Sequence, residues 1–140
     1  MCIRDSNNGV YRSGFATTQD AYDEAIETLF SGLDKLDHIL SKQRYLIGNI
    51  ITEADWRLLP TLLRFDSVYH GHFKCNKRKL KEYDNLFNYA KELYQFPGIS
   101  DTYDDKYSKE HYYGSHETIN PSGVIAHGPE FEFDQPHNRV

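Results

Sequence analysis

The sequence predicts an all-α protein, and three observations along its 140 residues support that fold class. A row of apolar residues is separated by alternating steps of four and three, which is the spacing of one helix face; the row is Tyr22, Ile26, Leu29, Leu33, Leu36 and Leu40. Thr52-x-x-Asp55 directly precedes a second apolar helical run, as an N-capping box does. No segment shows the convincing apolar–polar alternation of a strand.

The first predicted helix covers residues 18–41. Thr17 or Thr18 can cap it, and acidic residues follow from Asp20 onward, near the positive end of the helix dipole. Its apolar row is too short for a sustained coiled coil, so we expect packing inside a helical bundle. The next segment, Lys42–Asn49, is predicted to be a loop.

The second predicted helix covers residues 53–66 and begins at the capping box. The Thr52 hydroxyl can accept a hydrogen bond from the backbone of Asp55, whose carboxylate can reach back to the N–H of Thr52. Pro60 removes one backbone donor, which predicts a kink. The apolar residues of this helix are expected at the centre of the bundle; they are Trp56, Leu59, Leu62 and Leu63.

The rest of the chain is less regular. Ser67–Asn76 is predicted to be irregular or a short helix, and a third helix covers residues 83–95 before the stop at Pro97-Gly98. Asp101–Tyr113 indicates a weaker helix. From Gly114 onward Gly, Pro, Asn and Ser recur, which predicts an ordered but irregular extension.

Composition restricts the function classes. The net charge is −5, and the one basic segment, Lys74–Lys81, is too short to neutralise many phosphates, so we expect no nucleic acid partner. No window reaches the ~18 apolar residues of a membrane helix. Two cysteines do not make a disulfide scaffold and fit a reducing cytoplasm. Aromatic residues reach 14%, which suits an aromatic pocket or a large interface.

Three groups of reactive side chains have structural interpretations. Cys75 has cationic neighbours that can lower a thiol pKa, but we interpret it as a structural cysteine. His70-x-His72-x-x-Cys75 has two or three potential zinc ligands without the fourth that a closed site needs, so we expect no metal. Arg64 and Asp66 are interpreted as an ion pair or a loop tie, with the alternative that they border a ligand cleft.

Several separated motifs resemble one enzyme family. The capped helix preceded by RYLIGN resembles the C-terminal domain of glutathione transferases. Further segments are similar to the glutathionyl-hydroquinone reductases, the Xi class of that superfamily; they are Asn7–Ala25, Leu62–Asn76, Leu93–Ile99, His111–Ile125 and Gly128–His137. The resemblance therefore extends from about Asn7 to Pro136.

The resemblance implies a domain organisation. Residues 7–113 are expected to form a glutathione transferase C-terminal-like helical bundle, and residues 114–140 the family's C-terminal extension. Members of that family carry an N-terminal thioredoxin-like domain with a catalytic cysteine in a Cys-Pro motif, which this sequence lacks. Residues 1–6, including Cys2, match nothing in the family and are interpreted as a non-native leader.

The resemblance also implies a reaction and a site. The reductases of this family release a hydroquinone from its glutathione conjugate, with glutathione as co-substrate and a mixed disulfide at the missing cysteine. Tyr11 and Tyr112 correspond to the tyrosines that line the hydroquinone pocket. Phenol donors can stabilise charge on the hydroquinone oxygens, and we expect their hydroxyls within roughly 10 Å of each other. Viewed without the family, either tyrosine fits an ordinary position at the edge of the core.

Two alternatives stay open from the sequence: a non-catalytic interaction domain of glutathione transferase type, and an omega-like thiol transferase. The extension His111–Ile125 argues against the second, because ordinary classes lack it. The expected partners are the thioredoxin-like domain, glutathione conjugates of quinones or hydroquinones, and a second copy of the chain. Without the thioredoxin-like domain we expect no turnover.

Overall fold

The protein's structure, a computed structural model, describes residues 3–139, so Cys2 lies outside the described residues. It contains five α-helices: α1 (Ile3–Gly14), α2 (Gln19–Leu40), α3 (Glu53–Arg64), α4 (Asp84–Tyr94) and α5 (Asp105–Ser115). A π-helical turn, Phe65–Tyr69, continues α3, and 3-10 turns occupy Leu80–Glu82 and Ser100–Thr102. Within residues 3–139 there is no strand, and the all-α fold class is confirmed.

Helix α1 is the element that the sequence patterns did not indicate. Its segment contains Asn7, Asn8 and Gly9, which are poor helix formers. The helix is stabilised by packing along α2, where Val10 is fully buried and the backbone of Gly9 lies against Leu29. A Cβ atom at position 9 would approach the Leu29 side chain to 3.3 Å, so a small residue suits this contact.

The segment interpreted as a leader contributes to α1. Ile3–Ser6 form the beginning of the helix, and Ser6 is buried. Residues 3–6 therefore lie in the same helix as residues 7–14, while the domain boundary at residue 7 stays a prediction. The non-native origin of residues 1–6 stays a prediction.

Helix α2 follows its predicted bounds closely. Thr18 caps it by accepting a hydrogen bond from the backbone N–H of Ala21 at 3.2 Å. The apolar row faces the core: Leu29, Leu33 and Leu36 are fully buried. Helix α2 contacts α1 and α4, so it packs inside a helical bundle, as the spacing predicted.

The capping box at the start of α3 is present, with Asp55 as its centre. The Asp55 carboxylate accepts hydrogen bonds from the backbone N–H of Thr52 at 2.8 Å and from the Thr52 hydroxyl at 3.2 Å. It also accepts from the backbone N–H of Leu46 at 3.0 Å and from the Tyr89 hydroxyl at 2.7 Å. One fully buried carboxylate thus joins the helix start to the preceding loop and to α4.

The body of α3 is buried as predicted, with one exception. Leu59, Leu62 and Leu63 are buried, and Pro60 is accommodated inside the helix. Trp56, expected at the centre of the bundle, is only partly buried and packs edge-on against Phe96. The indole lies at the margin of the core, beside the half-exposed ring of Phe96 in the loop after α4.

The C-terminal extension is irregular but held in place. The Gln95 side chain donates hydrogen bonds to the carbonyls of Phe133 and Gln135, and Arg139 forms an ion pair with Glu92 on α4. Helix α5 begins at Asp105, later than predicted, because Asp104 caps it by accepting from the backbone of Tyr107. No helix in the described part of the chain is long and apolar enough to span a membrane.

Candidate functional site

A cavity of about 500 Å³ opens between α1, α3, the π-helical turn and α5. Tyr11 and Tyr112, the two tyrosines singled out from the sequence, both line it, although 101 positions separate them. The remaining lining residues are mostly polar; they include Asn7, Asn8, Arg57, Thr61, Arg64, Tyr69, Tyr107, Ser108 and His111.

The two hydroxyls are in direct contact. The Tyr11 and Tyr112 oxygens lie 2.6 Å apart, well within the roughly 10 Å expected. Tyr11 has 40% of its surface exposed and Tyr112 is partly buried, so both can be reached from the cavity. The structure therefore brings the two predicted site residues together, while their role in binding a substrate stays a prediction.

A third phenol, Tyr69, stands behind this pair. Its hydroxyl oxygen lies 3.2 Å from that of Tyr112, and its ring packs edge-on against the Tyr112 ring at 5.7 Å. Tyr69 is only 3% exposed and stacks nearly parallel on Phe73. Tyr69 is not among the residues predicted from the sequence; its place in the Leu62–Asn76 motif, four residues after Phe65, was the available signal.

Helix α1 positions Tyr11 at the cavity, and the π-helical turn positions Tyr69 there. On α1, Asn7 lies one helical turn before Tyr11 and fixes that face to α3, because its side chain donates to the carbonyl of Arg57 at 3.0 Å and accepts from the Thr61 hydroxyl at 2.6 Å. The π-helical turn is closed by the bond from the His70 N–H to the carbonyl of Phe65 at 2.8 Å.

The surroundings of Tyr11 and Tyr69 keep both phenols protonated. Burial raises the pKa of Tyr11, an effect that the hydrogen bond to Tyr112 strengthens and the charge of Arg64 opposes. Burial also raises the pKa of Tyr69 far above its ordinary value of 10.0, again with the hydrogen bond to Tyr112 as the next cause. At neutral pH these hydroxyls are therefore hydrogen bond donors.

Arg64 and Asp66 have separate roles. The Asp66 carboxylate accepts from the backbone N–H groups of Leu80 at 2.5 Å and Lys81 at 3.2 Å, which makes it the loop tie that the sequence suggested. Arg64 instead lines the cavity, and its guanidinium lies over the Tyr103 ring at 5.1 Å. The cavity therefore contains a positive charge beside the phenols.

Cys75 has the environment of a structural cysteine. It is fully buried, and burial raises the pKa of its thiol to about 12. A thiolate is the reactive form of cysteine, and this environment disfavours it strongly. The adjacent cationic residues do not offset the burial.

The histidines that suggested a metal motif are organised differently. His72 is buried, and its Nε2 lies 2.9 Å from Nδ1 of His116. Burial lowers the pKa of His72 to about 4, and the charges of His116 and Lys74 act in the same direction. Among the described residues, no three His, Cys, Asp or Glu side chains are grouped so that they could hold a metal ion.

The chain is similar to known proteins over most of its length, including the segments that form the cavity. A family model described as Glutathione S-transferase, C-terminal domain, matches residues 19–92. Glutathionyl-hydroquinone reductase YqjG of Escherichia coli (strain K12) is 51% identical over 133 residues, which are 95% of this chain and 40% of that protein. Glutathionyl-hydroquinone reductase PcpF of Sphingobium chlorophenolicum is 51% identical over 123 residues, which are 88% of this chain and 39% of that protein.

Solved structures show the same likeness. The glutathione-bound structure of YqjG has a TM-score of 0.95 at 49% identity and covers 99% of this chain, which corresponds to 45% of that chain. A Xi class glutathione transferase from Natrialba magadii has a TM-score of 0.96 at 48% identity, covering 99% of this chain and 42% of that one. The chain thus spans about two fifths of the length of the curated relatives it matches.

Proposed function

The chain belongs to the family of glutathione S-transferase C-terminal domains, and from that premise we propose that it is the substrate-pocket domain of a glutathionyl-hydroquinone reductase. The observation that supports this most directly is the contact of the Tyr11 and Tyr112 hydroxyls, 2.6 Å apart at the wall of one cavity. The two hydroxyls bond to each other here, and phenols that meet at one point of a cavity wall can instead turn their protons toward a ligand oxygen that gains negative charge during a reaction.

The proposed reaction needs such donors. A cysteine thiolate attacks the sulfur of the glutathione conjugate, so that a disulfide to glutathione forms and the bond between sulfur and the ring carbon breaks. The ring carbon takes the electron pair and a proton, which releases the hydroquinone. A second glutathione then reduces the mixed disulfide and regenerates the cysteine, so that its thiol sulfur and the thioether sulfur of the conjugate end as glutathione disulfide while the ring is reduced. Tyr11 and Tyr112 would hold the hydroquinone oxygens as that bond breaks.

The nucleophile of this proposal lies outside the described residues. Cys75 is buried and its thiol pKa is raised, so it does not supply a thiolate. We place the nucleophile in a thioredoxin-like domain, the part that would also hold most of the glutathione. Because the reaction uses free thiols, a reducing cytoplasm is the compartment that suits it.

A chimera tests this proposal. Residues 7–139 would replace the matching region of E. coli YqjG, and turnover of glutathionyl-menadiol with glutathione would be measured. We expect activity in the chimera and none in the isolated chain. Robust turnover by the isolated chain that Cys75→Ser abolishes would contradict the assignment of the nucleophile.

The same chimera tests the two phenols. Tyr11→Phe and Tyr112→Phe should each lower kcat by about 10- to 1000-fold, as the loss of an oxyanion donor does. Tyr83→Phe is the matched control, because it removes a buried hydroxyl that is bonded to Asp34 and does not line the cavity. A double variant, Tyr11→Phe with Tyr112→Phe, that keeps full activity would leave both tyrosines as core residues.

We also propose that the chain self-associates through its extension. Val124 is 70% exposed and Ile125 is 43% exposed, so two neighbouring apolar side chains of the extension are open to contact with a second copy. Light scattering over a wide concentration range should show a dimer. A strictly monomeric species would count against this part of the proposal.

A further inference from the structure

We propose that Tyr69 is a positioning residue for the reaction proposed above: its hydroxyl fixes the direction in which Tyr112 and Tyr11 donate their hydrogen bonds. This inference rests on the proposed function and adds a third residue to its site. The observation that carries it is a row of three phenol oxygens, in which Tyr69 is the buried end and Tyr11 the exposed end.

The direction of the Tyr69 hydroxyl proton follows from the burial of this residue. The residue is 3% exposed, so water does not reach its hydroxyl freely. The Tyr112 oxygen lies 3.2 Å from this hydroxyl, and the Tyr11 hydroxyl is a second, weaker hydrogen bond partner. A buried O–H group without an acceptor is costly, whereas a phenol oxygen that accepts no bond is tolerated more easily. Tyr69 therefore donates its proton toward the outer pair.

The Tyr112 oxygen lies within hydrogen bond distance of both the Tyr69 and the Tyr11 oxygen. A phenol has one proton to donate, and its oxygen can also accept. Because Tyr112 accepts from Tyr69, its own proton is directed away from the core, either to Tyr11 or to an oxygen of a ligand in the cavity. If the direction were reversed, the proton of Tyr112 would point inward and only Tyr11 would remain to donate to the ligand.

The hydrogen bond from Tyr69 also makes the Tyr112 hydroxyl a stronger donor. A hydroxyl that accepts a hydrogen bond becomes a better donor, because hydrogen bonds in a chain polarise one another. Negative charge on a ligand oxygen is thereby shared between Tyr112 and the buried Tyr69 behind it. Tyr69 does not need to touch the ligand to contribute to its binding or turnover.

Ring stacking and backbone geometry hold Tyr69 in place. Its ring stacks on Phe73 with an interplanar angle of 8°, and its backbone carbonyl accepts from the N–H of Cys75 at 3.0 Å. It lies at the end of the π-helical turn Phe65–Tyr69, a rare geometry that often occurs at functional sites and that shifts the register of the side chains after it. The hydroxyl is therefore fixed before any ligand binds.

The test uses the active chimera and the variant Tyr69→Phe. We expect kcat to fall by about tenfold with KM nearly unchanged, because the variant removes a donor that acts through Tyr112. In a chimera that already carries Tyr112→Phe, the further change Tyr69→Phe should lower kcat clearly less than it does alone, since its main connection to the ligand is already lost. The control Tyr83→Phe should keep kcat, and thermal melting should show that each variant is folded.

The outcomes separate the two proposals. If Tyr112→Phe lowers kcat but Tyr69→Phe does not, or if the two effects simply multiply, the positioning role is wrong and the proposed function stands. If none of the three tyrosine variants lowers kcat, both the site and this inference are overturned.

A binding measurement gives an answer that does not depend on turnover. The isolated chain would be titrated with 4-nitrophenolate, whose absorbance maximum reports hydrogen bonds to its oxygen. Tyr69→Phe should weaken binding by about tenfold and reduce the spectral shift. Equal affinity and an equal shift in the original chain and the variant would overturn the positioning role.

Discussion

Asp55 is the residue whose removal should affect the fold most. Its carboxylate accepts four hydrogen bonds, two of them from donors that are themselves buried, the Leu46 N–H and the Tyr89 hydroxyl. In Asp55→Ala each of these donors is left without its partner, at a cost of about 1–3 kcal/mol apiece. Loss of the helix cap adds about 1 kcal/mol. We therefore expect a decrease in the free energy of unfolding of about 3–7 kcal/mol.

Smaller changes separate these contributions. Thr52→Ala removes one hydroxyl from the box, and a capping residue is worth about 1 kcal/mol. Tyr89→Phe removes one donor to the carboxylate, and the net contribution of such a bond is about 1–2 kcal/mol. Typical domains are stable by only about 5–15 kcal/mol, so a loss as large as that expected for Asp55→Ala can prevent folding. Thr52→Ala and Tyr89→Phe should both fold, so the contributions of the Asp55 carboxylate can still be measured in that case.

The assay is urea unfolding followed by fluorescence. The single tryptophan, Trp56, lies one position after Asp55 and is partly buried, so its emission should change on unfolding. The expected order of stability is the original chain, then Thr52→Ala and Tyr89→Phe, then Asp55→Ala. An Asp55→Ala protein within 1 kcal/mol of the original chain would refute the claim that this carboxylate holds the loop, α3 and α4 together.

Three further predictions concern other buried positions. Because the pKa of His72 is lowered to about 4 in the folded protein, the unfolded chain binds more protons below about pH 6.5; the free energy of unfolding should fall from there toward pH 4, with a smaller slope in His72→Gln. Gly14→Ala would place a Cβ atom 2.3 Å from the Phe73 ring and should cost about 1–3 kcal/mol in urea unfolding, whereas Gly114→Ala meets no atom within 4 Å and should not destabilise. The Cys75 thiol should resist alkylation at neutral pH in the native protein and react on unfolding; rapid labelling of the native protein would contradict its burial.

The elements that the sequence predicted well are those whose signals are local. Helix α2 has an unbroken apolar row, and α3 has a capping box directly before its apolar face, so their starts follow from the sequence itself. The start of α1 could not be found in this way. Its segment Asn7–Gly9 has poor helix propensity, and the helix depends on a surface of α2 that becomes available only in the folded protein.

The candidate site was predicted in part for the same reason. Tyr11 and Tyr112 were selected by family resemblance, since nothing in their spacing along the chain indicates that their hydroxyls meet. Tyr69 was missed because its position depends on a π-helical turn. Such a turn adds a residue to the helical register, and hydrophobic periodicity alone does not reveal where that happens.

One continuous helical segment, residues 53–69, connects the stability of the domain to its candidate site. At its start Asp55 joins α3 to the loop and to α4, and at its end Tyr69 supports the phenols at the cavity. About fourteen residues of helix separate the two, roughly 20 Å at the rise of an α-helix. Sites this far apart usually contribute independently. Changes at Thr52 or Tyr89 should therefore lower the free energy of unfolding while leaving kcat of the folded chimera unchanged. Tyr69→Phe should lower kcat while leaving the free energy of unfolding nearly unchanged.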